Sequence, residues 1–145
     1  FSSLIMAIFT QEGLSPGLRQ LIALACSLSA GCKYCQAHTS HGAERAGINQ
    51  QKIAEILKYN DSELYAENER AVLDLAFAAG ETPNRSSKEH FDELKKHFSD
   101  EVITDIVSVI SIFGFLNRWN DTLGTELEGM PSDFIKNDLR PLGWS

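Results

Sequence analysis

The sequence predicts an all-α fold, in one domain spanning residues 1–145. Apolar residues recur at intervals of three and four positions, which is the spacing of the buried face of a helix. Residues that cap helices stand directly before most of these runs. No segment shows the sustained apolar–polar alternation of a half-buried strand. We therefore expect helices joined by short loops and no β-sheet.

The first predicted helix begins at Ser15 and Pro16. A serine side chain can accept a hydrogen bond from a free N–H group of the first turn, and proline is tolerated at the first helical position. Gly31 interrupts this helix, and a second helix is predicted over residues 32–46, with Gly47 as its C-cap. The apolar stripe of the first helix comprises Leu18, Leu21, Ile22, Ala25 and Leu28.

Three further helices are predicted before residue 99. Asn49 caps a short helix that contains Ile53, Ile56 and Leu57. Asp61 or Ser62 starts the next helix, whose apolar stripe comprises Leu64, Ala71, Val72, Leu75 and Ala79. Residues 80–85 contain Pro83 and Asn84 and predict a loop. Residues 86–89, Ser-Ser-Lys-Glu, have the form of a capping box that opens the following helix, which carries Phe91, Leu94 and Phe98 on one side.

The last long helix is predicted from Ser99 to about Leu123. Over residues 102–116 it is apolar on nearly all sides, and a helix of this kind is buried in a core or between subunits. We therefore expect it to be central, or covered by another copy of the chain. Residues 126–145 contain two prolines and two glycines, and we expect a mostly irregular tail with one turn near Phe134.

Charge and hydropathy exclude several classes of function. Thirteen basic against twenty acidic residues give a net charge of −7, whereas a nucleic-acid-binding protein or a protein of anionic membrane surfaces needs basic residues. The longest uncharged apolar run, residues 106–116, is shorter than the ~18–20 residues of a membrane span. The chain begins with Phe1, which we interpret as a fragment or trimmed sequence, so a targeting segment could precede it.

The three cysteines, Cys26, Cys32 and Cys35, are the most informative residues of the chain. Their odd number is untypical of a disulfide-rich secreted domain, so we expect a cytoplasmic protein. In a reducing compartment a Cys-x-x-Cys pair such as Cys32 and Cys35 is catalytic, redox-sensing or metal-binding. Cys26 is predicted to be a core residue, because unpaired cysteine is among the most buried residue types.

Two histidines continue the spacing of the cysteine pair and raise the question of zinc. Cys32, Cys35, His38 and His41 follow each other at intervals of three residues. Along a helix these four side chains would spread over about 13.5 Å, which is too far for one tetrahedral ion. A metal site formed by two or three of them with a distant ligand remains an alternative. His41, His90 and His97 are otherwise expected to be structural or exposed.

A redox function fits the spacing of Cys32 and Cys35 better than a metal site does. Residues three apart on a helix have Cβ atoms ~5–6 Å apart, so a modest adjustment at the helix start allows a disulfide. The free N–H groups and the dipole of a first turn stabilise a thiolate, so we expect the pKa of these thiols to be lowered. His38 lies one turn beyond Cys35 and could take up or donate the proton.

The sequence resembles the AhpD-like alkylhydroperoxidase and carboxymuconolactone decarboxylase superfamily over residues 15–128. The match comprises residues 18–25 (LRQLIALA), residues 31–39 (GCKYCQAHT), Ala43, and Ala46 with Gly47. Residues 113–121 (FGFLNRWND) are similar to the aromatic-Asn-Arg-x-Asn stretch of its peroxidase-related branch. The resemblance implies a helical fold that assembles as homo-trimers or homo-hexamers, which suits the apolar last helix.

The same resemblance implies roles for four residues. In the AhpD type the second cysteine is peroxidatic and the first resolves, so Cys35 would attack and Cys32 would resolve. His38 would be the base of the proton relay. The family's glutamate lies twelve residues before the first cysteine, at the position of Gln20, whose amide cannot ionise. The family's histidine falls at Thr39, so His38 would act from the neighbouring position.

We therefore predict a thiol peroxidase that cycles between a Cys32/Cys35 dithiol and a disulfide. The resemblance implies a hydroperoxide substrate, an external dithiol electron donor of the lipoyl or thioredoxin type, and no bound organic cofactor. A non-enzymatic redox sensor or assembly protein with a switchable Cys32–Cys35 disulfide is the first alternative. A metal-binding module is the weaker one.

Overall fold

The computed structural model describes residues 1–144, and no strand is present within that range, so the all-α prediction is confirmed. Eight α-helices are described there, with a 3₁₀ turn at Ile56–Lys58 between the fourth and the fifth. The helices are α1 (Ser2–Phe9), α2 (Pro16–Ala30), α3 (Lys33–Arg45), α4 (Gln50–Ala54), α5 (Glu67–Ala79), α6 (Lys88–Leu94), α7 (Asp100–Leu123) and α8 (Gly129–Phe134).

Helix α2 is the centre of the fold. It packs against α3, α5 and α7, and its central residues 21–25 have no exposed surface. Leu73 of α5 and Ile106 of α7 are likewise fully buried in the core that surrounds it. Burying a side chain of this size stabilises the fold by about 1.5–3 kcal/mol relative to exposure. The packing fixes the end of α2, and therefore the start of α3, where both cysteines of the pair lie.

The predicted helix boundaries are confirmed where a cap fixes them. The Ser15 hydroxyl accepts a hydrogen bond from the Leu18 N–H (3.2 Å), and the Ser99 hydroxyl accepts one from the Val102 N–H (3.3 Å). The Asn49 side chain caps α4 through the Gln51 N–H (2.8 Å). Gly31 ends α2 with a φ of 79°, in the left-handed region that favours glycine. This turn leads directly into the cysteine pair.

Helix α5 begins at Glu67, so the start predicted at Asp61 or Ser62 is wrong. Ser62 is engaged elsewhere, because its hydroxyl donates to a Glu55 carboxylate oxygen (2.6 Å) and accepts from the Leu64 N–H (3.2 Å). The Arg70 side chain binds the carbonyl oxygens of Tyr59 and Ser62. These bonds hold the residues before Glu67 in turns instead of a helix.

Two smaller boundaries also differ. Helix α6 begins after Ser87, one residue later than the predicted capping box, so the residue at its third helical position is His90 instead of Glu89. The His90 Nδ1 atom accepts a hydrogen bond from the Ser87 N–H (3.0 Å). Helix α1 was not predicted, and its residue Ile8 joins the core.

The C-terminal tail is helical, so the prediction of a mostly irregular segment is wrong. Helix α8 continues into a π-helical turn at Ile135–Leu139 and a 3₁₀ turn at Arg140–Leu142. Phe134 and Leu139 are buried in the core cluster, and the Phe134 ring lies 5.4 Å from the His41 ring. Packing against α3 and α4 thus stabilises helical turns despite the local prolines and glycines.

Helix α7 has one buried and one exposed side. Residues such as Ile106, Val109 and Phe113 pack inward, while Phe115, Trp119 and Leu123 are largely exposed. By length and composition alone α7 could cross a membrane, with a mean hydropathy of 1.4 over its most apolar window. The prediction from the shorter uncharged run, residues 106–116, was that no segment is long enough to span a membrane. A buried core helix can have the same length and composition as α7.

Candidate functional site

The cysteine pair occupies the first turn of α3. Cys32 is the N-cap residue, and its Sγ atom accepts a hydrogen bond from the Cys35 N–H (3.5 Å). Both cysteines are free, and the two thiols are close enough for each to shift the pKa of the other. Cys32 is fully buried and Cys35 is 3% exposed. The two sulfur atoms therefore lie side by side, as the spacing predicts, but away from solvent.

The expectation of a lowered thiol pKa is wrong for this buried pair. Loss of solvation raises the pKa of both cysteines, and it raises that of Cys35 to about 12. The neighbouring Cys32 sulfur raises the pKa of Cys35 further, because two adjacent sulfurs resist a second negative charge. At Cys32 the hydrogen bond from the Cys35 N–H acts in the opposite direction. Desolvation therefore outweighs the effect of the helix N-terminus.

Two side chains of helix α7 lie next to the cysteine pair. The Asn120 amide donates a hydrogen bond to the Cys35 Sγ atom (3.5 Å) and a second to the Leu116 carbonyl (2.9 Å). After the loss of solvation, the nearby Asp121 carboxylate is a further cause that raises the pKa of the Cys32 thiol. Sequence reasoning matched this stretch to the family but gave neither residue a role. The sequence signal that could have indicated them is a pair of polar residues, Asn and Asp, near the end of an otherwise apolar helix.

His38 lies on the same helix and is bound by a residue that the sequence analysis missed. Its Nε2 atom hydrogen-bonds to one carboxylate oxygen of Glu128 at 2.7 Å, and the Tyr34 hydroxyl donates to the other at 2.9 Å. The Tyr34 and His38 rings lie 4.4 Å apart. A hydrogen bond from its own backbone N–H, followed by those from His38 and Tyr34, holds the pKa of Glu128 below its usual value.

This cluster of Tyr34, His38 and Glu128 has a defined chemical capability. When a neutral imidazole donates through Nε2 to a carboxylate, its Nδ1 atom is left as the proton acceptor. Glu128 therefore orients the ring, as carboxylates do for histidines in many proton-transfer sites. The residue lies in the segment between α7 and α8, ninety positions away from His38 in the sequence. No local spacing could have indicated it.

Gln20 lies apart from this cluster. It is on α2, and its side-chain amide packs against Gly42 of α3, where an added Cβ atom would lie 2.7 Å from the Gln20 Oε1 atom. Within residues 1–144 its side chain forms no hydrogen bond to His38 or to either cysteine of the pair. Three of the four predicted site residues, Cys32, Cys35 and His38, thus lie within the first two turns of α3, but among the described residues His38 forms no hydrogen bond to either thiol.

The remaining cysteine and histidines occupy structural positions. Cys26 is buried in α2, with its Sγ atom 3.5 Å from the Ala76 carbonyl oxygen, and burial raises its pKa to about 12. His41 packs on Phe134, and the His97 Nε2 atom lies 3.3 Å from a Glu93 carboxylate oxygen. Among residues 1–144, no group of three or more His, Cys, Asp or Glu side chains is arranged to hold a metal ion.

Known proteins resemble this chain in sequence and in structure. The debrominase Bmp8 shares 37% identity, with a TM-score of 0.87 over 92% of this chain and 72% of that protein. A protein of unknown function from Agrobacterium tumefaciens, a candidate antioxidant-defence protein AhpD, shares 26% identity with a TM-score of 0.82 over 88% of each chain. The uncharacterized protein YdfG of Bacillus subtilis is 29% identical over 112 residues, which is 76% of this chain and 74% of that protein.

A second relative is longer than this chain. The uncharacterized protein YnjA of Escherichia coli is 26% identical over 118 residues, and the match covers 81% of this chain but only 64% of YnjA. The model of the carboxymuconolactone decarboxylase family matches residues 1–78, which include the whole Cys-x-x-Cys turn and His38. These matches confirm the superfamily inferred from the sequence, and this chain belongs to the carboxymuconolactone decarboxylase family.

Proposed function

We propose that the protein is a thiol peroxidase that reduces a hydroperoxide with the Cys32/Cys35 dithiol. The observation that carries this proposal is the contact between the two thiols in the first turn of α3. A reversible disulfide needs two sulfurs that can approach to bonding distance without moving the backbone far. The likeness to a candidate antioxidant-defence protein AhpD supports the same chemistry.

The proposed reaction consumes one hydroperoxide for each dithiol. The Cys35 sulfur attacks the outer peroxide oxygen, the O–O bond breaks, and the alcohol leaves with one proton. Cys35 is then a sulfenic acid, and the Cys32 sulfur displaces its oxygen as water to form the disulfide. The dithiol loses two electrons, and the peroxide gains them. In this scheme Cys35 is the peroxidatic residue and Cys32 resolves it.

Removal of the proton from the Cys35 thiol requires a second group in the site. Burial keeps both thiols neutral, so the proton of Cys35 must leave as the substrate enters and exposes the sulfur. We assign His38 to the proton transfer and Glu128 to holding its ring. The Asn120 N–H stabilises the negative charge that develops on the Cys35 sulfur. The Gln20 amide does not ionise and lies against Gly42, so we assign it no part in the relay.

The electron donor and the assembly belong to the same proposal. An external dithiol of the lipoyl or thioredoxin type would reduce the disulfide, in a reducing compartment such as the cytoplasm. Homo-trimers or homo-hexamers would cover the exposed aromatic surface of α7, where the Phe115 and Trp119 rings stack at 5.9 Å. An exposed apolar patch of this kind is typical of a subunit interface.

Reductive debromination is a second candidate function. It is favoured by the 37% identity to the debrominase Bmp8, a cysteine-to-alanine variant of which has been crystallised with 2,3,4-tribromopyrrole. The same dithiol could supply the two electrons. An aryl bromide and two thiols would give the debrominated ring, bromide, one proton and the disulfide. This reaction needs no additional residue.

One experiment separates these functions. Reduced protein is mixed with a hydroperoxide or with a brominated pyrrole, and we measure peroxide consumed, bromide released and thiols lost. We expect peroxide consumption with loss of two thiols, and no turnover in Cys35→Ser or Cys32→Ser. Turnover that persists in Cys35→Ser removes that residue from the mechanism. Disulfide formation without turnover favours the redox-sensor alternative, and bromide release favours debromination.

A further inference from the structure

A polar groove lies between the end of α2, the loop that follows α5, and the C-terminal half of α7. Its volume is about 560 Å³, within the ~300–1,000 Å³ range of small-molecule sites. Cys32, Cys35 and His38 do not line it, so no reacting group of the proposed peroxidase faces it. Phe115 and Trp119, the aromatic residues assigned to subunit contacts, do not line it either. The groove is therefore a second concave surface, with no role in the proposed reaction.

Charged side chains of both signs line the groove. Arg118 and Asp121 lie on α7, and within residues 1–144 neither forms a salt bridge. Glu81, on the loop that follows α5, is paired with Arg85. The Arg118 guanidinium can bind a carboxylate through two hydrogen bonds, and the Asp121 carboxylate can bind an ammonium group. A ligand with one charge would meet a like charge in the groove, so the groove suits a zwitterion.

Asn117 gives an independent indication of a ligand. It lines the groove and is 3% exposed, and its Oδ1 atom has no hydrogen-bond partner among the described residues. Leaving a buried acceptor unpaired destabilises a protein by about 1–3 kcal/mol. An asparagine side chain also carries two N–H donors. The group that complements it best is therefore another amide, which supplies both an N–H donor and a carbonyl acceptor.

The position of Asn117 on α7 lets its amide reach a ligand held by the two charges. Asn117 directly precedes Arg118, and it lies four residues before Asp121. Residues four apart are neighbours on the surface of a helix, so Asn117 and Asp121 lie side by side in the groove wall. The torsion that orients an asparagine amide is soft, so the enclosed Oδ1 atom can turn towards the groove. One small molecule can therefore contact all three side chains.

We propose that this groove binds a small zwitterion that contains an amide, with its carboxylate on Arg118, its ammonium group on Asp121 and its amide on Asn117. Two kinds of compound share this chemistry, namely an α-amino acid with a carboxamide side chain, such as glutamine, and a dipeptide, such as glycylglycine. Binding breaks no covalent bond and transfers no electron, so it needs no access to a thiol. The inference goes beyond the proposed function and does not depend on it.

The first test measures binding by calorimetry, with glutamine and glycylglycine as the probes. Each is compared with its C-terminal amide, which lacks the carboxylate, and with its N-acetyl derivative, which lacks the ammonium group. We expect at least one zwitterion to bind, and each of these two changes to weaken its binding about tenfold. Binding of glutamine alone identifies a side-chain carboxamide, and binding of glycylglycine alone identifies a peptide amide. No binding of either zwitterion, or equal binding of the analogues, overturns the proposal.

The second test pairs each ligand charge with one residue. Arg118→Gln should weaken binding of the zwitterion about tenfold and leave binding of its C-terminal amide unchanged, because that analogue has no carboxylate. Asp121→Asn should weaken binding of the zwitterion and leave binding of its N-acetyl derivative unchanged, for the matching reason. Arg45→Gln, at an exposed position outside the groove, is the control and should bind as wild type does. Equal weakening of the zwitterion and its analogue by Arg118→Gln overturns the assignment of the carboxylate.

The third test uses thermal unfolding, which is independent of peroxidase activity. A ligand that binds only the folded state raises Tm. We expect the zwitterion to raise the Tm of wild type and of Arg45→Gln, and to raise that of Asn117→Leu and Asn117→Ala much less. A full ligand-induced shift in either Asn117 variant overturns the role of this amide. Binding without peroxide turnover supports the groove and contradicts the proposed function, whereas turnover without binding overturns the groove alone.

Discussion

The imidazole of His38 lies 2.7 Å from the carboxylate of Glu128, a residue ninety positions further along the chain. Both side chains are partly exposed, so a contact of this kind contributes little to stability. Its consequence is chemical, because it fixes which ring nitrogen carries the proton. The Tyr34 hydroxyl binds the second oxygen of the same carboxylate and limits its orientation.

Glu128→Gln should lower the turnover number for peroxide about tenfold and leave KM nearly unchanged, because an amide orients His38 without a negative charge. Steady-state peroxide assays at several hydroperoxide concentrations measure both constants. Glu126→Gln, in the same exposed segment, is the control. An unchanged turnover number in Glu128→Gln would contradict the positioning role.

Alkylation should report the burial of the dithiol. With a pKa of about 12, Cys35 of the folded protein should react with iodoacetamide at pH 7 at least ~100-fold more slowly than a free cysteine. The rate should rise about tenfold for each pH unit, because only the thiolate reacts. Mass spectrometry of timed samples measures this, with protein unfolded in urea as the control. Fast, pH-independent labelling of the folded protein would show that the thiol is not held neutral.

Stability should fall in alkaline solution. The thiol of Cys26 releases its proton near pH 9 in the unfolded chain but near pH 12 in the folded one. Between these two pH values the folded state binds more protons than the unfolded chain. The contribution of Cys26 to the free energy of unfolding is therefore complete below pH 9 and is lost as the pH rises towards 12. Urea unfolding of reduced protein from pH 8 to 10.5 tests this. The slope of unfolding free energy against pH should be smaller in Cys26→Ala, and an equal slope would contradict the assignment.

Two glycines should respond in opposite ways to alanine. At Gly80 a new Cβ atom would lie 3.0 Å from the Cys26 carbonyl oxygen and 2.9 Å from the Ser29 Cβ atom, so Gly80→Ala should destabilise the protein by about 1–3 kcal/mol. At Gly114, inside α7, a Cβ atom meets nothing within 4 Å, and Gly114→Ala should stabilise by about 0.5–1 kcal/mol. Thermal and urea unfolding measure both changes. Equal effects would contradict the close approach of α2 and α5 at Gly80.

The assembly can be tested on the exposed face of α7. Trp119 is 56% exposed, and Trp119→Glu should reduce the mass of the oligomer, because a charge at the centre of an apolar contact is left without a partner. Light scattering coupled to size-exclusion chromatography measures this mass. Thr104→Glu, an exposed position nearer the start of α7, should leave it unchanged. A monomeric wild-type protein would contradict the proposed trimer or hexamer.

Much of the fold could be predicted because its signals are local. Ser15, Asn49 and Ser99 each cap a helix within three residues of themselves, and Gly31 ends α2 through its own backbone conformation. The predictions were wrong where distant contacts outweigh local preference. Ser62 binds Glu55 instead of opening a helix, and Phe134 and Leu139 pack the tail as helical turns.

The sequence by itself determined the all-helical class, the family, and the placing of Cys32, Cys35 and His38 within two turns of one helix, because helical periodicity and short motifs depend on neighbouring residues. Only the tertiary structure decided that the two thiols are buried and neutral, since solvation depends on everything packed around them. Only it decided that Asn120, Asp121 and Glu128 meet the site from the far end of the chain. Packing, which no local pattern encodes, brings those residues together.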